Sequence, residues 1–256
     1  MKNILFTVIF LVSFIKLFSQ TNLNFVTSDI DNFWKAYDKI TSTKDSVQQY
    51  NYINQLYFDK GSVGLKAIMQ ARRYTDKSYI DAINNYPIFW KSIRINTLKS
   101  KQIAKDIEAD VSKLKILYPT LRPSKIYFTI GAFKTGGTTT DSMILIGSEI
   151  AMADKKVITK EFPNSLSHLP TYFATNPIDH MGFNNVHEYI HTQQNTTVRN
   201  NLLAQCVLEG VAEFIAVKAT GKLSTAPALK YGYAKENFEK IRARFKTQMF
   251  NAFNGF

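Results

Sequence analysis

Three residues in the run Asn184 to Gln194, "NNVHEYIHTQQ", have the types and spacing for metal chemistry: His187, Glu188 and His191. The chain has only four histidines, so two of them four apart around a glutamate form a pattern to follow. On an α-helix, residues four apart lie on one face, one turn from each other. Both imidazoles can then turn a nitrogen toward a single ion, and Zn2+ takes such nitrogens at about 2.0–2.1 Å. Glu188 projects beside them without having to be a ligand, where it would act as general base toward an attacking water.

A catalytic zinc site needs a third protein ligand and an open position. The segment "LLAQCVLEGVAEFIAV" supplies the candidates, because Glu209 and Glu213 are four apart and share one face of an otherwise apolar helix. Two such glutamates are costly to bury without partners, and a metal with its histidines would be such partners. Glu209 follows His191 after seventeen intervening residues, room for a turn and a return. It is read as the third ligand. Glu213 then accepts the outer N–H of His187 or His191 and fixes its tautomer; the reverse assignment of the two glutamates is the alternative. Gly210 is expected to let the two helices approach closely.

These elements must be positioned by a fold. With 256 residues, 45% of them hydrophobic, the chain can bury a sizeable core. Ile30, Phe33, Trp34, Tyr37 and Ile40 recur at helical spacing, as do Tyr50, Ile53, Leu56 and Tyr57. Further amphipathic stretches run over 63–73, 78–85, 87–98 and 101–118, and their aromatic residues read as core. After Pro119 and Pro123 the pattern turns β-branched. "KIYFTIGAF" (125–133) and "SMILIGSEI" (142–150) read as strands, joined through "KTGGTTTD" as a hairpin. A helix is expected from Asn176, with Asn176 as its cap and Pro177 in its first turn, up to Gln194. Another should run from about Asn200 to Ala219 and stop at Thr220-Gly221. The fold class is α+β and mostly helical, with a small antiparallel sheet and a two-helix zinc site. Residues 21–120 are expected to form a helical region and 121–256 a catalytic core, with one compact domain spanning both as the alternative.

The start of the chain reads as a signal peptide over residues 1–20: Lys2, a largely apolar run from Ile4 to Ile15, and the small Ser19 near a cut at Ser19/Gln20. The twelve-residue run is short for a membrane span. A secreted or periplasmic location follows. Cys206 is the single cysteine, so no internal disulfide is available, and its apolar surroundings suggest a buried, inert thiol. The formal charge of +12 comes with no nucleic-acid motif. It reads as a solvated basic face, with possible association with an anionic cell envelope. His180, seven before His187, reads as a capping or supporting histidine, and His168 as an exposed loop residue.

"HEYIH" followed by "LEGVAEF" resembles the gluzincin metallopeptidases. In the aminopeptidase branch the glutamate of E-G-x-A is the zinc ligand, which implies Glu209. In thermolysin-like enzymes an acidic residue four further on orients a histidine, the place of Glu213 here. The chain is also similar to bacterial predicted zinc-dependent proteases, in "IYFTIGAF", "GGTTTD", "ILIGSE", "HEYIHTQQ" and "LLAQCVLEGVAEF". The resemblance implies a zincin-like fold and a peptide or protein substrate. It gives "SMILIGSEI" the role of the strand that pairs with an extended substrate. It also implies a Tyr or His donor to the oxyanion, for which Tyr231 and Tyr233 are the candidates. The rival expectation is a catalytically silent zincin-fold binding protein of the cell envelope.

Overall fold

The computed structural model describes residues 25–140, 142–194, 200–222 and 228–252. The expected signal peptide, residues 1–20, lies outside them. Among the described residues no helix is long and apolar enough to cross a membrane.

The first half is helical: α1 (Ser28–Thr41), α2 (Ser46–Ile53, prolonged by a π turn over Asn54–Phe58), α3 (Val63–Arg72), α4 (Asp76–Asn85), α5 (Pro87–Thr97) and α6 (Ser100–Leu117). The apolar stripe of α1 goes inward as its spacing demands, burying Ile30, Phe33, Trp34, Tyr37 and Ile40. Around it Tyr57, Tyr79, Phe89 and Trp90 are fully buried. Their polar handles are satisfied: Trp90 donates to Ala82 O, Trp34 to Thr97 Oγ1, and the Tyr57 and Tyr79 hydroxyls both donate to Ile130 O. Buried Asp29 accepts from the Ser62 N–H and hydroxyl. Ser62 itself caps α3, accepting from Leu65 N, so this contact sets α3 against α1.

β1 (Phe25–Val26), β2 (Lys125–Thr129), β3 (Gly137–Thr140) and β4 (Met143–Gly147) form one sheet in the order β1-β2-β4-β3. β1, β2 and β4 run parallel, and only β3 is antiparallel. The sheet is therefore mixed, not antiparallel, and β2 and β4 do not make the expected hairpin. "GTTT", read as part of a turn, is the strand that makes the hairpin with β4. The physical reason lies in the side chains: Ile126, Tyr127, Phe128, Ile144, Leu145 and Ile146 are buried in unbroken runs, the pattern of interior parallel strands. The three threonines suit a half-exposed edge.

The chain after β4 enters a short helix, α7 (Ser148–Ala151), then α8 (His168–Phe173), α9 (Met181–His191), α10 (Leu202–Thr220), α11 (Ala228–Glu236) and α12 (Phe238–Gln248). The helix expected from Asn176 is broken in two: Pro177–His180 forms a 3-10 turn before α9 begins. Asn176 sits in the left-handed region at φ 51° and does not cap; its Oδ1 accepts from Lys155 N instead. α10 has Asn201 as a side-chain N-cap and ends at left-handed Gly221, φ 68°. One buried hydrophobic cluster draws on α1 through α10 and on the sheet.

Candidate metal centre

α9 packs between α6 and α10. Its apolar side, Phe183, Val186, Tyr189 and Ile190, is buried. The far end is fastened where the Ser124 N–H donates to the Tyr189 hydroxyl at 2.8 Å and Arg122 Nη2 to Thr192 O at 2.6 Å. The near end passes α6 at Gly182, where a Cβ would fall 2.1 Å from Asp110 Oδ2. That carboxylate is held by Lys222 and Lys113, whose charges keep it below the usual carboxylate range despite its burial. α10 packs against both α9 and α6, and the residues it buries are the small Ala212, Ala216 and Ala219. Gly210 has no such role: a Cβ there would meet nothing within 4 Å. Cys206, expected buried, is exposed, because it lies off the Ala212-Ala216-Ala219 stripe that α10 buries.

This packing brings His187, His191 and Glu209 together. His187 Nε2 lies 3.0 Å from His191 Nε2, 3.3 Å from Glu209 Oε2, and Glu209 Oε2 lies 3.5 Å from His191 Nε2. Three donors on a tetrahedral ion with bonds of about 2.0–2.1 Å would stand about 3.3–3.4 Å apart, so the triangle has the size such an ion needs. The outer ring atoms are also provided for. His191 Nδ1 is 2.7 Å from Gln194 Oε1, and Gln194 Nε2 donates to Leu208 O on α10. His187 Nδ1 is 3.3 Å from Glu213 Oε2. Both acceptors favour the tautomer with the proton outside, leaving two Nε2 lone pairs and a carboxylate oxygen converging. These residues can hold a metal ion.

Glu188 stands beside the triangle, and burial pushes its carboxyl up, against the pull of His191 and His187. It lines both of two cavities that meet at the metal group. The larger, about 1090 Å³, runs past His187 and is bounded by Phe133, Leu169, Tyr172 and His180. The smaller, about 370 Å³, lies past His191 and is bounded by Arg72, Thr138, Thr139 and Gln194. His168 is exposed at the start of α8 and, like His180, reaches the larger cavity; neither belongs to the metal group. The structure places Tyr231 and Tyr233 on neither cavity wall. Both are exposed, and the Tyr231 hydroxyl points to Glu213 Oε1 at 3.4 Å.

The free strand edge at the cleft belongs to β3, not to β4 as expected; β4 lines the larger cavity through Ile144, Leu145 and Ile146 but is paired on both sides inside the sheet. Gly137 lines both cavities. The β3–β4 register and the Gly147 N–H bond to Gly136 O make 138/145 and 140/143 the hydrogen-bonded pairs. The backbone groups of Gly137 and Thr139 therefore face the open edge. Those of Gly137 are taken by the Thr135 hydroxyl, which leaves Thr139 to pair with an incoming strand. Sequence reasoning missed three contributors here: β3, Gln194 and Arg72. Gln194 stands three residues after His191, a spacing that was available to read; Arg72 had no local sign.

No family model matches the chain, and no curated protein or solved structure matches it.

Proposed function

We propose that this chain is an exported zinc-dependent peptidase with a zincin-like core, holding Zn2+ on His187, His191 and Glu209. The observation that carries the reading is the triangle of donor atoms at 3.0, 3.3 and 3.5 Å beside half-buried Glu188 in a cleft walled by an open strand edge. Two imidazoles and one carboxylate are a donor set suited to zinc at an open site. When bound, the ion supplies Lewis acidity to the peptide carbonyl and to the attacking water.

The chain's own residues do the rest. The substrate lies extended along β3, accepting from and donating to the Thr139 backbone. Glu188 takes the proton of the attacking water on a carboxylate oxygen and passes it to the leaving amine. Glu213 and Gln194 hold the two rings with their Nε2 atoms inward. Tyr172 and His180, on the wall of the larger cavity, take the place of Tyr231 and Tyr233 as candidate donors to the oxyanion.

The second reading is a silent zincin-fold binding protein of the envelope, favoured by the place of Tyr231 and Tyr233 away from the cavities. Elemental mass spectrometry after dialysis, followed by peptide-library cleavage, separates the two. About one zinc per chain with cleavage abolished in Glu188→Gln supports the peptidase. Zinc bound with no cleavage supports the silent protein, and a folded chain that takes no zinc removes the peptidase and leaves the envelope-binding protein as the better account.

A further inference from the structure

The smaller cavity carries a cation whose charge is felt by Glu188 but whose donors bond to no side chain of the metal group. Arg72 is the last residue of α3, exposed, on the same wall-set as Glu188, His191, Glu209, Thr138 and Thr139. Its guanidinium makes no ion pair or hydrogen bond among the described residues. Its backbone is fixed: Lys134 Nζ donates to Arg72 O at 3.1 Å and Arg73 O at 2.8 Å. Arg73 closes the helix in the left-handed region at φ 51°. The stem that holds Arg72 is thus tied to the segment that leads into β3, while its head is left for something else.

A planar guanidinium with free donors matches a carboxylate, two N–H groups to two oxygens. Glu188 and Glu209 would repel such a guest in the metal-free site. With the ion in place its two positive charges and that of Arg72 outweigh those two negative ones. We propose that Arg72 makes the smaller cavity a carboxylate-binding subsite, selecting peptides that present an acidic side chain or a free C-terminus on the His191 side of the metal group. This rests on the peptidase reading above.

The test uses the zinc-loaded Glu188→Gln protein, which holds peptide without turning it over, and fluorescein-labelled peptides followed by anisotropy. One set differs only by Glu against Gln at each position; another differs by free against amidated C-termini. The subsite predicts about tenfold tighter binding of the acidic member of a pair, the effect of one charge-assisted contact. The first set responding identifies a side chain as the source, the second the terminus. Arg72→Gln should remove the preference and Arg72→Glu reverse it, with neutral peptides bound as before. Peptide binding without an acidic preference, or a preference that survives Arg72→Gln, overturns the subsite and leaves the peptidase reading standing. Binding of no peptide by zinc-loaded protein overturns both.

Discussion

The Nε2 atoms of His187 and His191 face each other at 3.0 Å. With their outer nitrogens turned to Glu213 and Gln194, two lone pairs and a carboxylate oxygen crowd one point. A cation entering it would satisfy all three donors at once, although Glu209 itself is open to solvent. Because the donors sit on α9 and α10, a cation bound there would also tie two helices together. Zinc at a hundred times its Kd should therefore stabilise the fold by about 2.7 kcal/mol. In a chain of this size that raises Tm by roughly 5–10 °C. Thermal melts with zinc and with chelator measure the difference; coincident melts would mean that no ion binds here.

The residues behind the ligands should matter in proportion. Glu213→Gln and Gln194→Ala leave all three donors in place but free a ring to turn. Each is expected to weaken zinc binding about 10–100-fold, measured by competition against a chromophoric chelator. Gln194→Ala also removes the bond to Leu208 O. Its effect should appear in the zinc affinity more than in the melting temperature of the metal-free chain.

Glu149 gives the fold a pH dependence of its own. It is fully buried at the head of α7 and accepts from the Gly131 and Phe133 N–H groups, on the segment that leads to β3. Burial pushes its carboxyl from 4.5 up to about 7, against the pull of those N–H donors. In the unfolded chain it loses its proton near 4.5; in the folded chain it keeps it to about 7. Across that window the native state binds more protons, so stability falls as pH rises and levels off above it. The loss is on the order of 3 kcal/mol. Urea midpoints between pH 4.5 and 7.5 should show the fall, and Glu149→Gln should flatten it. An equal slope in the variant would assign it to another group.

Much of this was legible in the sequence, and what was not has physical causes. His187, Glu188, His191, Glu209 and Glu213 could be read because helical spacing fixes what shares a face, and a face is enough to build a two-helix site. The stripe of α1 was legible for the same reason. Strand pairing was not: period and composition mark Ile126–Phe128 and Ile144–Ile146 as strands but say nothing of whether they run parallel or what lies between. Thr138 to Thr140 carry too few apolar side chains to announce a strand. Cys206 and Gly210 show the reverse error. The apolar run around Cys206 suggested burial there and Gly210 a close helix approach, whereas the buried stripe of α10 is Ala212, Ala216 and Ala219. Arg72 reaches the site by tertiary packing, where α3 lies against β2 and β4 and its end is held by Lys134.

The open edge of β3 can be tested at one atom. Thr139 presents its N–H and C=O outward, away from β4, so proline at this position removes a donor that the sheet does not use. An edge strand tolerates proline on these terms, and zinc content and Tm should stay close to those of the parent. Cleavage should suffer in a particular way. One main-chain hydrogen bond to an extended substrate contributes about 0.5–1.5 kcal/mol, so Thr139→Pro should raise KM roughly 2- to 12-fold with kcat little changed, the signature of lost uniform binding. Thr138→Pro is the control: its N–H faces β4, and its loss should lower Tm as well. If Thr139→Pro cleaves peptides with an unchanged KM, the substrate does not pair with β3, and the cleft must hold it by side-chain contacts alone.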